Sequence, residues 1–361
     1  MAGDGSSPGK SAGIHHITAI AGEPKRHVAF YRELLGLRMV KRTVNFDDPT
    51  TWHLYYGDET GTPGTALTFF VWNQLPSGRH GSGEPQEIAF SVPESSLAFW
   101  RKRLADKGIA FKDAARFGDQ VIAFEDADGH KLELVGAKGA GSIPGWSNGG
   151  VPAEHAIRGF HGVTLEVSNP ALTARVLNQV FGFEPDGVEG DRHRFRAGDG
   201  AIGNVVDLRV TPGATRASQG TGTVHHVAFR ATGDEQEMEF RRRALEIGLR
   251  PTDQVPRHYF RSVYFREPNG ILFEVATDDP GFTVDEPKEK LGKQLLLPPW
   301  HEQRRKQIEA VLPPLEYIKP AETTSRSDRQ ASCRTLPPAR SACDCDSRAS
   351  QPRCATAAAA V

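Results

Sequence analysis

GIHHITAI, residues 13–20, returns in altered form near the other end of the chain as TVHHVAF, residues 223–229. In each copy the apolar Ile, Val, Ala and Phe mark a β-strand, whose successive side chains point to opposite faces of a sheet. One histidine of each pair therefore faces inward, and the arrangement occurs twice, about two hundred residues apart.

Working outward from these strands, the same order of elements appears four times. Residues 14–72 give a strand (IHHITAI), an amphipathic helix (RHVAFYRELLGL), then the strand-like WHLYYGD and ALTFFVW. Residues 86–136 give QEIAFSV, the helix SLAFWRKRLADKG, then FGDQVIAFEDADG and HKLELVG. Residues 157–211 give IRGFHGVTLEV, the helix ALTARVLNQVFGF, then DRHRFRAGD and NVVDLRV. Residues 223–277 give VHHVAFR, the helix DEQEMEFRRRALEIGL, then YFRSVYFREPNG and ILFEVAT. The helices carry apolar residues at i, i+3, i+4 spacing, as Val28, Phe30, Leu34 and Leu35 do against Arg32 and Glu33. The expectation is an α+β fold of four βαβββ modules.

The Gly/Pro/Ser-rich GAKGAGSIPGWSNGGVP, residues 136–152, suits a linker, so the modules fall along the chain into pairs at 13–150 and 151–290. An extension over 291–318 carries Pro298 and Pro299 before a helix-like segment expected to return to the body. Residues 1–12 and the Ser/Arg/Ala/Pro-rich 319–361 lack the apolar side chains needed to offset the entropy of ordering, and are expected to be disordered. All four cysteines, Cys333, Cys343, Cys345 and Cys354, lie in that tail, so no disulfide framework holds the core.

A chain of 361 residues with 38% hydrophobic and 25% charged residues can bury a sizeable core. Its net charge of −1 provides no electrostatic footprint for nucleic acid. No apolar run reaches the length of a membrane span, and the polar start has no signal-peptide character, so a cytoplasmic protein with no membrane or nucleic-acid partner is expected.

Histidines on the first strand of a unit and a glutamate on its last resemble the vicinal-oxygen-chelate superfamily of glyoxalases and extradiol ring-cleaving dioxygenases. Within it the chain is most similar to the hydroquinone 1,2-dioxygenase branch. The resemblance covers residues 12–315 and rests on GIHHITAI, FYRELLGLRMVKRTVNFDDP, TVHHVAF, VPRHYFRSVYFREPNGILFEVATD and LPPW. It implies two paired vicinal-oxygen-chelate domains and metal ligands at His16, His226 and Glu274. Fe(II) is the implied ion, with Mn(II) as the alternative, and a small aromatic substrate and dioxygen are the implied partners, within a fold that commonly forms homo-oligomers. His15 and His225 are implied to lie close to the metal despite strand alternation, which requires a bulge or twist. Tyr264, Arg257 and His258 match pocket positions, and Thr18 shares the face of His16 by period two. His225 and Tyr264 would move protons or donate hydrogen bonds, and Arg257 would stabilise a developing anion. Phe69, Trp72 and Tyr259 are candidates to shape the pocket.

The repeats can be compared with one another. Aligning them sets His16 against Gly162, His226 against Glu87, Glu274 against Glu133 and Tyr264 against Ala123. If units one and four form one barrel and units two and three the other, the chain has one complete triad and one degraded copy. Two imidazoles and a carboxylate on one side of an ion suit Fe(II) and leave the other side open. In glyoxalases, as the resemblance implies, a fourth ligand comes from the other unit's last strand, and here Thr68 stands opposite Glu274 in that alignment. A glyoxalase-like metal-dependent isomerase or lyase, and a non-catalytic binding protein of the same fold, are the alternative readings.

Overall fold

The computed structural model describes residues 9–198, 200 and 202–315; the cysteines and the tail expected to be disordered lie outside them. Unit one comprises β1 (Ile14–Ala21), α1 (Pro24–Ala29), β2 (Arg38–Val44), β3 (Trp52–Gly57) and β4 (Ala66–Val71). Unit two comprises β5 (Glu84–Val92), α2 (Leu97–Asp106), β6 (Phe111–Arg116), β7 (Asp119–Glu125) and β8 (Lys131–Gly136). Unit three comprises β9 (Gly159–Val167), α3 (Pro170–Gln179), β10 (Glu184–Glu189), β11 (Arg192–Arg196) and β12 (Val205–Val210). Unit four comprises β13 (Val224–Ala231), α4 (Asp234–Glu246), β14 (Val255–Pro256), β15 (Arg261–Arg266) and β16 (Leu272–Thr277).

Local chemistry explains where the helices begin. The Glu23 carboxylate accepts from the Lys25 and Arg26 amides ahead of α1, and Asn169 caps α3 through the Ala171 amide with Pro170 at the first helical position. Asp234, Glu235 and Glu237 place negative charge at the positive end of α4. The helix expected over 26–37 stays α-helical only through Ala29 and widens to a π-helical turn at Phe30–Leu34.

The strands form two eight-stranded sheets. The first runs β14-β15-β16-β13-β1-β4-β3-β2 and the second β10-β11-β12-β9-β5-β8-β7-β6. Units one and four thus build one sheet and units two and three the other, joined by the antiparallel pairs β1–β13 and β5–β9. The segments on either side of the linker therefore each contribute one unit to each sheet. The strands that no sequence pattern marked, β2, β6, β10 and β14, are the four sheet edges. β10 is exposed along its whole length, and no residue of β6 is buried. An edge strand with no buried face has no apolar alternation to read.

One apolar cluster draws on all four units. Phe181, which follows α3, stacks on Phe229 of β13 at 4.2 Å and on Phe265 of β15, so unit three packs against the first sheet. A second cluster, including Tyr55, Ala66, Ala228, Phe260 and Ala276, lines the opposite face of that sheet. Phe282 and Leu291 of the segment after β16 join this cluster and cover the face.

That segment is fastened by Lys41 of β2. Its fully buried ammonium donates to Asp285 Oδ1 at 2.7 Å, Glu286 Oε1 at 2.7 Å and the Phe282 carbonyl at 3.0 Å. Farther on, α5 (Arg305–Val311) buries Ile308 against Val44 and Leu297, and Trp52 Nε1 donates to the Pro313 carbonyl, so the extension returns to the body. The N-terminal stretch is more ordered than its composition suggests. Ser11 is buried, its amide donates to the Phe181 carbonyl and its hydroxyl to the Arg230 carbonyl, so two specific hydrogen bonds do what apolar burial does elsewhere. No helix among the described residues is long and apolar enough to cross a membrane.

Lys41→Met should leave Glu286 buried without its cation, at a cost of about 3–5 kcal/mol. Urea unfolding should show the lower midpoint with little change in slope, whereas an unchanged midpoint would mean that the ammonium does not secure the segment.

Candidate metal centre

Two register rows cross the inner face of the first sheet. In one, Tyr264 (β15) pairs with Glu274 (β16), Glu274 with Ala228 (β13), Ala228 with His16 (β1) and His16 with Ala66 (β4). In the next, His226 pairs with Thr18, Thr18 with Thr68 and Thr68 with Tyr55. The two alanines leave room beside the polar side chains.

His16, His226 and Glu274 meet. His226 Nε2 lies 2.8 Å from Glu274 Oε2, His16 Nε2 lies 3.4 Å from the same oxygen, and the two imidazole nitrogens are 3.4 Å apart. Three bonds of about 2.1 Å at right angles, as on one face of an octahedral ion, separate donor atoms by about 3.0 Å. All three residues are buried, and the polar atoms that face Glu274 Oε2 are the two imidazole nitrogens. Among the described residues they are the one group of three or more His, Cys, Asp or Glu side chains with ligand atoms this close.

The doubled histidines have a structural cause. Between Ile14 and His16 the β1–β13 register advances two residues on β1 against one on β13, and between Thr18 and Ala19 one against two. His15 and His225 are therefore the extra residues of two β-bulges, which re-aim side chains that regular alternation would send away. His15 Nδ1 lies 2.9 Å from His16 Nδ1, and His225 Nδ1 lies 2.7 Å from His226 Nδ1. A ligand histidine that offers Nε2 to a cation carries its proton on Nδ1, and the preceding histidine accepts it, which fixes ring orientation and tautomer. Burial, reinforced by the adjacent ligand histidine, holds His225 down to about 3 and His15 well below the ordinary histidine value, so both rings are neutral acceptors. Burial alone would raise the Glu274 carboxyl, but His16 and His226 outweigh it and keep the group ionised.

The other expected site residues divide. Arg257 Nε donates to the Tyr264 hydroxyl at 3.0 Å, and Arg257 Nη1 reaches Asp47 Oδ2 at 2.9 Å. Burial and the Glu274 charge push the Tyr264 phenol above its ordinary value, so it stays protonated. The Thr18 hydroxyl meets Thr68 Oγ1 at 2.8 Å. His258 turns to the covering segment: its Nε2 lies 3.3 Å from Asp285 Oδ2, its ring contacts are Tyr259 and Trp300, and its backbone sits at φ 64°. Phe69 packs at 4.2 Å from His27 in the main core, away from the inner face, whereas the Trp72 ring lies 5.4 Å from Phe70, which itself lies 5.4 Å from His225, and Trp72 Nε1 donates to Asp48. Tyr259 and Phe260, with His15 and Phe282, line a cavity of about 310 Å³ beside the site.

Several functional neighbours escaped the sequence. The Ser262 hydroxyl donates to Glu274 Oε1, and His53 Nε2 lies 2.9 Å from Thr68 Oγ1 with Tyr55 OH 2.9 Å from His53 Nδ1. Period two along β15 and β3, counted back from Tyr264 and Tyr55, is the signal that locates Ser262 and His53.

The second sheet reproduces the register without the chemistry. Glu133 pairs with Ala89, Ala89 with Gly162, Glu87 with Thr164 and Ala123 with Glu133, so the equivalences read from the repeats hold residue for residue. A Cβ at Gly162 would lie 2.4 Å from the Val205 carbonyl, so no histidine fits there. Arginines fill the face instead. Arg192 donates to Glu87 at 2.7 Å, Arg194 grips Asp207 bidentately at 2.8 and 2.9 Å, and Arg209 bridges Glu87 and Glu166. Glu133 keeps one distant partner, Arg116 at 3.4 Å, and burial with the nearby Glu87 charge pushes it up to about 7.

Comparison with known proteins agrees with this geometry. Residues 13–134 and 159–275 match the family model described as the Glyoxalase/Bleomycin resistance protein/Dioxygenase superfamily, and the chain belongs to that superfamily. It is 46% identical over 307 residues to MhqO, a candidate ring-cleaving dioxygenase of Bacillus subtilis (strain 168), covering 85% of this chain and 97% of that one. It is 31% identical to the chlorohydroquinone/hydroquinone 1,2-dioxygenase of Sphingobium indicum, covering 81% and 93%. A crystal structure of a candidate dioxygenase from Bacillus subtilis superposes with a TM-score of 0.81 at 45% identity, covering 85% of this chain and 98% of that one.

Two outcomes are expected. Glu274→Gln should weaken Fe(II) or Mn(II) binding by more than about 100-fold, since loss of groups that merely orient ligands already costs about 10–100-fold; metal analysis after dialysis should find about one ion per parent chain and almost none in the variant. Glu133, raised from 4.5 to about 7, supports folding fully below pH 4.5 and loses that contribution as pH rises to about 7. Glu133→Gln should therefore gain on the parent across that window by about 3 kcal/mol, and parallel unfolding curves at pH 5 and pH 8 with no change in the difference would contradict a neutral Glu133.

Proposed function

We propose that this chain is an Fe(II)-dependent dioxygenase that cleaves the ring of a hydroquinone or a related dihydroxylated aromatic. The observation that carries this reading is the absence of a fourth protein ligand at the place symmetry assigns to it. In β13–β16, Ala228, two residues after His226, faces Glu274; in β1–β4, Thr18, two residues after His16, faces Thr68. Thr68 is thus the counterpart of Glu274, and its hydroxyl is engaged by Thr18 and His53. Two imidazoles and one carboxylate with an open side suit Fe(II) oxygen chemistry, and Mn(II) accepts the same donors. A glyoxalase-like isomerase that needs four protein ligands is less well served by this set. The naming of relatives as ring-cleaving and hydroquinone dioxygenases supports the same reading.

When bound, the ion lowers the pKa of a coordinating ring hydroxyl and supplies the redox partner for dioxygen. The chain's own groups do the rest. His15 and His225 hold the ligand rings, and Ser262 holds the Glu274 carboxylate. Tyr264, kept protonated and pinned by Arg257, supplies a proton or hydrogen bond to the reacting oxygen, and the Arg257 guanidinium balances developing negative charge. The product is an acyclic carboxylic acid, or an acyl halide where a halogen occupies the cleaved carbon.

Anaerobic loading with Fe(II), followed by oxygen-electrode measurement over a panel of hydroquinones and catechols, tests the reading. One dioxygen should be consumed per ring opened, and Tyr264→Phe should lower kcat by about 100-fold or more. Turnover of a substrate without oxygen uptake, retained with Zn(II) or Ni(II), would overturn it in favour of an isomerase.

A further inference from the structure

His16, His226 and Glu274 are all buried, so a reactant needs a way in. One end of the inner face is spanned by the loop 45–51, which is fastened at three points: Asp47 Oδ2 accepts from Arg257 Nη1 at 2.9 Å, Asp48 Oδ2 accepts from Trp72 Nε1 at 3.2 Å, and His301 Nε2 donates to the Phe46 carbonyl at 3.0 Å. The cavity of about 310 Å³ lies at the other end, since its residues 60–63 precede β4 whereas Trp72 follows it. It runs from the exposed Thr62 and Thr283 inward to the buried His15, Tyr259, Phe260 and Phe282.

The walls select the occupant. Three aromatic rings, Tyr259, Phe260 and Phe282, line the cavity, and the Thr60 and Thr62 hydroxyls stand 3.2 Å apart at its rim. The carboxylate among its lining residues, Asp278, is gripped by Arg230 at 2.7 and 2.8 Å, so its charge is already balanced. An apolar cavity of about 150 Å³ is enough for benzene, and small-molecule sites begin near about 300 Å³. An uncharged single ring bearing hydroxyls fits both the volume and the chemistry.

Two of the lining residues carry rings that reach the ligand His16: His15 at 5.1 Å and Phe260 at 5.0 Å between centroids. His15 is held through Nδ1, 2.9 Å from His16 Nδ1. Tyr259 is held as well, because its hydroxyl donates to Asp285 at 3.0 Å and the Lys41 ammonium lies 5.0 Å from its ring. Phe260 has no polar group in its side chain, so packing alone fixes its rotamer, and its ring can turn while the hydrogen-bonded walls stay in place.

We propose that the cavity is a subsite for an uncharged single-ring phenol or diol on its way to the metal, and that Phe260 is the gate between the two. The second step, passage to the metal, rests on the dioxygenase reading, whereas binding in the cavity does not. A gate changes the barrier between two places and leaves both places as they were. Obstructing it therefore slows entry and release together, which a residue that only shapes the metal site would not do.

Two measurements test this. Crystals of the metal-free protein soaked with bromohydroquinone should give an anomalous bromine peak in the cavity, beside the Phe260 and Phe282 rings. In anaerobic stopped-flow mixing of the Fe(II)-loaded protein with hydroquinone, Phe260→Trp should slow association and dissociation alike, by about 10-fold or more, with the equilibrium affinity near the parent value. Because a larger buried ring can disturb folding, the double variant Thr62→Trp/Thr283→Trp, altered only at exposed rim positions, should slow both rates in the same way. Unchanged rates in the double variant overturn the cavity as the route, and a lower affinity with unchanged association in Phe260→Trp overturns the gate. Crystals without bromine in the cavity overturn the subsite. A bromine peak there, with no hydroquinone bound by the loaded parent, counts against the dioxygenase reading and leaves the subsite standing.

Discussion

Three ligand atoms buried at one point are what the rest of this molecule is arranged around. His16 Nε2, His226 Nε2 and Glu274 Oε2 converge within 3.4 Å, while the Nδ1 atoms of both imidazoles are taken up by His15 and His225. With both rings carrying their protons on Nδ1, three lone pairs would face one another in a low-dielectric interior. A divalent cation removes the conflict, and neutral imidazoles with one carboxylate leave it with residual positive charge to bind an anionic oxygen. The β-bulges at His15 and His225 and the small Ala228 and Ala66 all serve that point.

The two sheets show what the fold does when the same positions carry other side chains. With glycine at 162 and arginines at 192 and 194, the second inner face closes on itself through ion pairs and has no room for a histidine at the first-strand position. Register is a property of the backbone, whereas a site is a property of side chains. Within the first sheet the same logic runs at smaller scale: Glu274 and Thr68 occupy symmetric positions, and the difference between a carboxylate and a hydroxyl determines whether the ion is closed in or open.

Much of this was legible in the sequence because period two and internal repetition are strong signals. Four units, the facing of His16 and His226, the isolated Glu274 between Phe273 and Val275, and the counterparts Gly162, Glu87 and Glu133 follow from aligning the chain with itself. The edge strands were not legible, since β6 and β10 have no fully buried residue and carry no alternation, while β2 buries the polar Lys41 and Thr43 among its apolar residues. Nor were partners reached through space: Asp47 on Arg257, or Lys41 on Asp285 and Glu286, which lie more than two hundred positions apart. The family resemblance suggested His258 for the pocket, and its Nε2 lies 3.3 Å from Asp285 of the covering segment, 27 positions away. Arg192 and Arg194 were visible as an alternating basic pattern in DRHRFRAGD, yet their meaning depends on the carboxylates of other strands.

The central claim is that one divalent ion sits between three side chains with its far side free. Anomalous X-ray diffraction at the iron edge, on crystals of the protein loaded with Fe(II) without oxygen, locates that ion directly. One peak about 2.1 Å from His16 Nε2, His226 Nε2 and Glu274 Oε2, with only solvent completing its coordination, is the predicted result. A peak in the second sheet, or a fourth ligand drawn from the chain, would contradict it.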